Sequence, residues 1–247
     1  MTKFKIQPYN GIYKIYGLSA ILTGTIISFL LADLEPILAQ KILFIIVTGL
    51  LIHFLIYKLY LPFDKEYKRI MGKEFNIYSE FILYPCNVII IVLFIALLID
   101  SKLLLSFCFH AAMTCPILAI LFPPLGFNDD YIYRFRVFTF YFYHYMIIIC
   151  AFLLVVTGKY IPNVRDVLPA MLVYAVFSFI CYLLNVVLIK TGLNPKSNYF
   201  YNYFPDGNFV MEAIYKYIPH PFLFTLPPMF ICYLFNVLVT LIINLFI

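Results

Sequence analysis

Residues 81–99 read FILYPCNVIIIVLFIALLI, an apolar run of 19 residues without a charged side chain. This length matches the roughly 20 residues that a helix needs to cross the hydrocarbon core of a bilayer. Pro85 lies one turn inside the run, where a proline leaves backbone groups without helical partners. In hydrocarbon such groups must be satisfied by neighbouring protein or by water. We therefore interpret the adjacent Cys86 as either an inert filler or a nucleophile that faces a small polar pocket.

The composition is that of a membrane protein. Hydrophobic residues make up 64% of the 247 residues and charged residues only 12%, whereas a soluble domain has about 25% charged residues. There is no Trp, so the 22 tyrosines are expected to supply the interfacial aromatic belt. The net charge of +5 is small and dispersed, which does not favour a nucleic-acid partner. We predict a single integral membrane domain over residues 1–247.

The cysteines indicate neither a metal site nor a cofactor. The chain has no CxxC pair and no Cys/His spacing typical of zinc, haem or iron-sulfur sites. The pattern does not favour a disulfide framework either, because every cysteine lies inside an apolar run and free cysteine commonly behaves as a small buried hydrophobe. The six cysteines are Cys86, Cys108, Cys115, Cys150, Cys181 and Cys232.

Seven apolar stretches are long enough to span a bilayer, which predicts an all-α bundle of seven transmembrane helices. The first follows three lysines, but it has no small-residue cleavage site and is read as a transmembrane helix, not a signal peptide. Pro221, Pro227 and Pro228 predict a delayed or kinked start of the seventh. The stretches lie near residues 15–32, 42–61, 81–99, 103–122, 137–157, 167–189 and 222–247.

The positive charges predict the orientation. Of the 17 Lys and Arg residues, only Lys41, Lys102, Lys159 and Arg165 fall on one side of seven such spans. By the positive-inside rule the other side, which includes the N-terminus, is cytoplasmic. We expect a multi-pass protein of the endoplasmic reticulum or another endomembrane if the source is eukaryotic, and of the plasma membrane if it is bacterial.

Four polar side chains from four predicted helices fall at similar depth in the cytoplasmic half of the bilayer. At 1.5 Å per residue, Cys86 lies roughly 8 Å deep and His144 roughly 10 Å deep. Asn185 and His53 lie at a comparable distance from the same side, and the polar loop from Asn194 to Asn208 can cap the region. Each of the four also has a structural interpretation, as a packing residue or as a hydrogen bond between helices.

The aromatic run from Tyr131 to Tyr145 is interpreted mainly as interfacial belt and lipid-facing surface. Residues 64–74 are interpreted as a solvated loop.

Four segments occur in an order that resembles the transmembrane protein 164 family and its bacterial YwaF-like relatives. The resemblance covers roughly residues 80–220, and the short motifs gain specificity from their order, spacing and placement on predicted helices. The segments are LYPC (83–86), CFHAAMTCPILAILFPP (108–124), YFYHYMIIICAFLLVVTGKYIP (141–162) and NYFY (198–201).

The resemblance implies a multi-pass acyltransferase that moves a polyunsaturated acyl chain from a diacyl phospholipid to a lyso-ether phospholipid. It further implies that Cys86 is the nucleophile and His144 its partner, followed by the loop Gly158–Pro162. Two positions depart from the animal members. Asn87 stands where His is expected, and residues 194–207 are closer to the bacterial pattern. The substrate therefore stays open.

The chemistry expected of such a pair is acyl transfer through a thioester. A buried thiol needs a base within hydrogen-bond reach to become a thiolate, and His144 is the candidate. The tetrahedral oxyanion needs donors. Because no coenzyme-A or nucleotide motif is present, we expect phospholipid substrates within the bilayer and no cofactor. The candidate oxyanion or substrate-binding residues are Asn87, Asn185, Asn198, Tyr199 and His53.

Two alternatives from other functional classes stay open. The first is a transporter or channel for a lipid or small solute, although the predicted spans lack the charged residues that ion-coupled transporters commonly carry. The second is a non-catalytic seven-helix protein, either receptor-like or a structural lipid-binding protein, because fold does not imply function. In both cases the shared depth of Cys86 and His144 would be coincidental.

Overall fold

The fold consists almost entirely of helices. The computed structural model describes residues 4–68, 74–81, 83–124, 127, 130–205 and 209–246. Two short strands, β1 (Lys5–Ile6) and β2 (Asp130–Tyr131), pair antiparallel, with Lys5 opposite Tyr131. The helices are α1 (Gly11–Ala32), α2 (Pro36–Tyr60), α3 (Pro85–Ile99), α4 (Lys102–Ala112), α5 (Cys115–Leu121), α6 (Phe135–Val156), α7 (Val164–Lys190), α8 (Phe209–Tyr215) and α9 (Leu226–Asn244).

The predicted all-α, multi-pass membrane fold is confirmed. Within the described residues, six helical segments have the length and apolar character of a membrane span. The predicted third span corresponds to α3, which has 15 residues. At 1.5 Å per residue it is about 22 Å long, shorter than the roughly 30 Å hydrocarbon core. The six longer segments are Gly11–Ala32, Pro36–Phe63, Lys102–Leu121, Phe135–Val156, Val164–Lys190 and Leu223–Asn244.

At three places the observed helix boundaries correct or refine those predicted from the sequence. Pro85 is the first residue of α3, not a residue one turn inside a helix. The predicted span 103–122 is interrupted at Met113–Thr114, between α4 and α5. The seventh helix does start late, at Leu226, after a 3-10 turn over Leu223–Thr225. Parts of the predicted loops 64–74, 123–130 and 194–208, together with Ile82 and Ile247, lie outside the described residues.

The helices form a core and a periphery. Helices α3, α4 and α6 supply most of the buried side chains, and α4 packs against α3, α6 and α7. Helices α1, α2, α7 and α9 present many large apolar side chains on the outer surface. Such an apolar exterior would be a liability in water, but it is the surface that hydrocarbon requires.

The two ends of the bundle carry different groups, and they are called the Cys86 end and the opposite end. Helix α3 begins at the Cys86 end, where α1 and α6 also begin and where α2 and α7 finish. At the opposite end, Lys102 pairs with Asp166 at 3.1 Å and Lys159 with Asp100 at 2.7 Å. These ion pairs join the α3–α4 connection to the α6–α7 connection.

Candidate active site

The first turn of α3 presents Cys86. Pro85 occupies the first helical position, where its missing N–H removes no hydrogen bond and its fixed φ suits the helix. The carbonyl of Tyr84 accepts hydrogen bonds from the backbone N–H groups of Asn87 and Val88, both at 3.0 Å. Cys86 is thus the second residue of the helix, and it is buried. The proline sets where the helix starts and thereby places the thiol at its positive end.

The non-helical segment before α3 is fixed by polar contacts. Lys58 donates to the backbone carbonyl of Glu80 at 2.9 Å, and the hydroxyl of Tyr67 bonds the Glu80 carboxylate at 2.5 Å. The rings of Tyr199 and Tyr201 lie 5.5 Å and 5.7 Å from the ring of Tyr84. Irregular backbone at membrane depth requires such burial in protein. The approach to the short helix α3 is therefore built from side chains of α2, of the segment that follows α2 and of the loop after α7.

His144 lies on α6 with one ring nitrogen engaged. Its Nδ1 lies 2.6 Å from the carbonyl oxygen of Phe140, one turn earlier on the same helix. A carbonyl can only accept, so Nδ1 carries the proton and the lone pair of the neutral ring is on Nε2. The ring packs 4.4 Å from the ring of Phe140. This backbone contact fixes both the tautomer and the orientation of the imidazole.

Tyr143, the residue before His144, connects α6 to the first turn of α3. Its hydroxyl donates to the carbonyl of Cys86 at 3.3 Å, and its ring stacks on Phe54 at 5.4 Å. Adjacent residues on a helix point about 100° apart, so His144 points in a different direction from Tyr143. Among the described residues, no hydrogen bond joins the Cys86 thiol to the imidazole. The structure brings the two helices together at Cys86 without bonding the predicted pair directly.

The thiol has polar neighbours that the sequence reading missed. The side chain of Cys86 interacts electrostatically with those of Cys115, Tyr143 and Tyr174. The thiol of Cys115 lies 3.9 Å from the hydroxyl of Tyr174. Tyr174 carries no sequence signal beyond its residue type, whereas Cys115 lies in the family-like segment 108–124 and Tyr143 stands directly before the predicted base. The cluster combines two thiols and two phenols from α3, α5, α6 and α7.

The reading of the aromatic run as belt and lipid-facing surface is wrong for its central part. Thr139, Phe140, Tyr141 and Tyr143 are all buried. Tyr133 and Phe138 are exposed, as expected of interfacial residues. The run is buried because α6 lies between other helices on several sides, which its residue types alone do not reveal.

Asn185 holds the loop after α7 with all of its hydrogen-bonding capacity. Its Nδ2 donates to the carbonyl of Tyr199 at 3.0 Å and to Oδ1 of Asn202 at 2.9 Å. Its Oδ1 accepts from the hydroxyl of Ser197 at 2.8 Å and from the backbone N–H of Tyr199 at 2.9 Å. Every donor and acceptor of a fully buried side chain is thus used within the protein.

Asn198 and Tyr199 belong to the same loop. Asn198 accepts from the backbone N–H groups of Tyr203 and Phe204 and donates to the carbonyl of Phe204. The hydroxyl of Tyr199 donates to the carbonyl of Tyr78. Burial raises the pKa of Tyr199 to about 12, so the phenol stays protonated and keeps this donor. These contacts make both side chains parts of the loop structure.

His53 and Asn87 differ in their surroundings. The ring of His53 lies edge-on among Phe135, Phe138 and Phe142, and its buried Nε2 finds no hydrogen-bond partner in the described part of the chain. This aromatic setting separates it from the hydrogen bonds around Cys86. Asn87 is half-buried on the first turn of α3, and its side-chain amide makes no hydrogen bond to any described residue. It is therefore the amide beside Cys86 that is available to a ligand.

Comparison with known proteins identifies the family. A family model matches residues 12–247, which is nearly the whole chain. The chain belongs to the TMEM164 family. Searches of curated proteins and of solved structures gave no match. The TMEM164 match confirms the resemblance and extends it from roughly residues 80–220 through the N-terminal helices α1 and α2 to the C-terminus.

Proposed function

We propose that this TMEM164-family protein is a phospholipid acyltransferase that uses Cys86 as nucleophile and His144 as general base. The donor would be a phospholipid and the acceptor a lyso-ether phospholipid, as the family resemblance implies. The observation that carries the proposal is the hydrogen bond from Tyr143 to the carbonyl of Cys86. It holds the helix with the predicted base against the turn with the predicted nucleophile.

Two local features suit these roles. Cys86 lies in the first turn of α3, where the positive end of the helix dipole favours an anionic sulfur. The Nδ1 of His144 is held by a backbone carbonyl, so Nε2 has the lone pair that a base requires. In the reacting complex Nε2 and the sulfur need to come within hydrogen-bond reach, and such contacts commonly tighten only when substrate is bound.

In the first half-reaction, His144 Nε2 accepts the thiol proton and the thiolate attacks the carbonyl carbon of the donor ester. The tetrahedral intermediate collapses with cleavage of the carbon–oxygen ester bond. The proton returns from His144 to the departing alkoxide, which leaves as the hydroxyl of a lysophospholipid. The acyl group is then held as a thioester on Cys86.

In the second half-reaction, the hydroxyl of the lyso-ether acceptor gives its proton to Nε2 and attacks the thioester carbonyl carbon. The carbon–sulfur bond breaks, the new ester forms, and the sulfur recovers the proton from His144. One ester is exchanged for another, so no coenzyme or redox partner is consumed.

Of the three candidate asparagines, Asn87 is the one whose side-chain amide makes no hydrogen bond to a described residue, so it is free to donate to the oxyanion. Loss of one such donor commonly lowers kcat by about 100- to 1,000-fold. We expect Asn87→Ala to lower kcat in this range with little change in KM. A lower affinity at unchanged kcat would instead assign Asn87 to ground-state binding.

The decisive experiment follows acyl transfer by mass spectrometry. Purified protein is incubated with an isotope-labelled diacyl phospholipid and a lyso-ether acceptor. We expect Cys86→Ala and His144→Ala to abolish transfer. The control variants Cys150→Ala, at another buried thiol outside the cluster of Cys86, Cys115, Tyr143 and Tyr174, and His220→Ala, at an exposed histidine, should leave it intact. Without acceptor, a hydroxylamine-sensitive acyl group should map to Cys86. Full activity of Cys86→Ala would refute the mechanism, and a wild type without transfer would favour the transporter or receptor-like alternatives.

We further propose that the Cys86 end of the bundle faces the cytoplasm. The support is the excess of Lys and Arg in the connections at that end. A membrane-impermeant maleimide applied to intact cells tests it, with single cysteines placed at Lys65 and Lys102 in a variant lacking native thiols. Labelling of the Lys102 position alone agrees with the proposal, and labelling of the Lys65 position alone contradicts it.

A further inference from the structure

A groove on the outer surface lies between α1 and α6, in the half of the bundle that is farther from Cys86. It has a volume of about 460 Å³, within the range of small-molecule sites. Almost all of its wall is apolar. The hydroxyl of Thr25 does not face the groove as a free donor, because it donates back to the carbonyl of Ile21 at 2.9 Å. The lining includes Ala20, Gly24, Ser28, Ala32, Tyr145, Ile149, Phe152 and Val156.

Two glycines of α1 determine how closely it approaches α6, and one of them, Gly24, lines the groove. A β-carbon on Gly24 would lie 3.0 Å from Cγ1 of Ile149, and one on Gly17 would lie 2.9 Å from the hydroxyl of Tyr145. The two helices therefore approach more closely than larger side chains allow. Small residues on α1 leave room for a slender apolar ligand, while Phe29 and Phe152 supply bulk at its sides.

A second cavity of about 370 Å³ continues the groove at the opposite end of the bundle. Ala32 and Val156 line both, so the two spaces adjoin. The second cavity is polar where the first is not, because Gln40, Thr157 and the backbone around Gly158 contribute to its wall. Gln40 donates to the carbonyl of Thr157 at 3.2 Å. The combined site changes from apolar to polar along its length, as an amphipathic lipid does.

The length of the groove fits one leaflet. From Tyr145 to Val156 the helix rises about 17 Å at 1.5 Å per residue. Half of the hydrocarbon core of a bilayer is about 15 Å thick. An acyl chain in the groove would therefore place its ester and headgroup at the second cavity, the level at which headgroups of that leaflet lie.

The charges beside the polar cavity indicate the kind of headgroup. Exposed charges of both signs adjoin the cavity residues along the chain: Asp33 and Glu35 lie between Ala32, Leu34 and Pro36, and Lys41 follows Gln40. The two carboxylates attract an ammonium group, and the ammonium of Lys41 attracts a phosphate. This arrangement favours a zwitterionic phospholipid over an anionic one.

We propose that the α1–α6 groove and the polar cavity bind one zwitterionic phospholipid, with an acyl chain in the groove and the headgroup near Asp33 and Glu35. The site opens to the leaflet opposite the one nearest Cys86. It does not rest on the acyltransferase proposal, because it uses neither Cys86 nor His144.

Photocrosslinking in lipid nanodiscs tests the site. The probe is a phosphatidylcholine with a diazirine midway along one acyl chain, diluted in unlabelled phosphatidylcholine. In the wild type we expect labelled peptides from α1 and α6 to exceed those from the exposed face of α9 by at least fivefold. Equal labelling of α9 and the groove would mean ordinary contact with bulk lipid and would overturn the proposal. This measurement uses only the wild-type protein.

Two matched serines on α1 supply the variants. Ser28→Phe fills the groove and should lower labelling of α6 at least fivefold, whereas Ser19→Phe, at an exposed position outside the groove, should change it less than twofold. Equal effects of the two would count against the site. For the headgroup, competition by phosphatidylglycerol should be at least threefold weaker than by phosphatidylcholine, and Asp33→Asn with Glu35→Gln should remove that difference. Equal competition in the wild type would refute the zwitterionic preference.

Discussion

Replacement of Asn185 tests whether the loop after α7 is held mainly by this one side chain. Asn185→Ala removes four hydrogen bonds that join α7 to Ser197, Tyr199 and Asn202. The site is fully buried, so water does not replace the lost partners without opening the loop. The backbone N–H and C=O of Tyr199 cannot rotate toward other partners, whereas the hydroxyl of Ser197 can.

The expected cost follows from these contacts. Each orphaned backbone group of Tyr199 costs about 1–3 kcal/mol when buried. Each of the two remaining hydrogen bonds is worth about 0.6 kcal/mol, the average within membranes. A total near 3 kcal/mol is expected, because the relaxing loop recovers part of the sum. Since about 1.4 kcal/mol changes an equilibrium tenfold, the open population of the loop should rise roughly 100-fold.

Limited trypsin digestion in detergent micelles measures this opening. Lys196 is an exposed cleavage site inside the loop, and cleavage there tracks the open population when the loop recloses faster than the protease cuts. Asn236→Ala is the matched control, because Asn236 is equally buried but donates mainly to Cys232 on its own helix at 3.0 Å. It should accelerate cleavage at Lys196 less than threefold. Similar cleavage rates in the two variants would refute the assigned role of Asn185.

The remaining predictions concern helix contacts. Tyr143→Phe removes the hydrogen bond to the Cys86 carbonyl and should lower the free energy of unfolding by about 1 kcal/mol, which thermal unfolding measures. Acyl transfer should also fall several-fold, because α3 and α6 are then held together less firmly. Gly17→Ala places a β-carbon 2.9 Å from the Tyr145 hydroxyl, the outer end of a side chain that must then shift, and should destabilise the protein by up to about 1 kcal/mol. Gly49→Ala meets no atom within 4 Å and should stabilise the protein by about 0.5–1 kcal/mol. A thermal unfolding series in which both glycine variants shift in the same direction would contradict this reasoning.

Helix α3 illustrates how far the sequence reading reached. The apolar run correctly indicated a helix, because hydrophobic content and length are local properties of the chain, but α3 is shorter than the predicted transmembrane span. The depth assigned to Cys86 assumed that the helix begins at Phe81. In the structure Pro85 begins the helix, since the segment before it is held by Lys58 and Tyr67, which the pattern of the run does not report.

For the candidate site, the sequence likewise selected residues but did not show what they contact. Cys86 and His144 were selected by residue type, spacing and family resemblance, and their roles remain predictions. Asn185 was selected by depth, but its hydrogen bonds all go to the following loop. Depth along a helix axis is available from sequence, whereas the direction around the axis depends on which neighbour the helix packs against.

The sequence by itself determined the membrane-spanning class, the approximate helices and the family. The length of an apolar run and the order of motifs are visible along the chain without knowledge of which residues are in contact. Only the tertiary structure decided that Tyr143, not His144, bonds the residue that carries the thiol. It also decided that α1 and α6 leave a groove between them that ends in a polar cavity. The physical reason is that adjacent residues on a helix point about 100° apart, so packing between helices, and not position in the chain, determines which side chains meet.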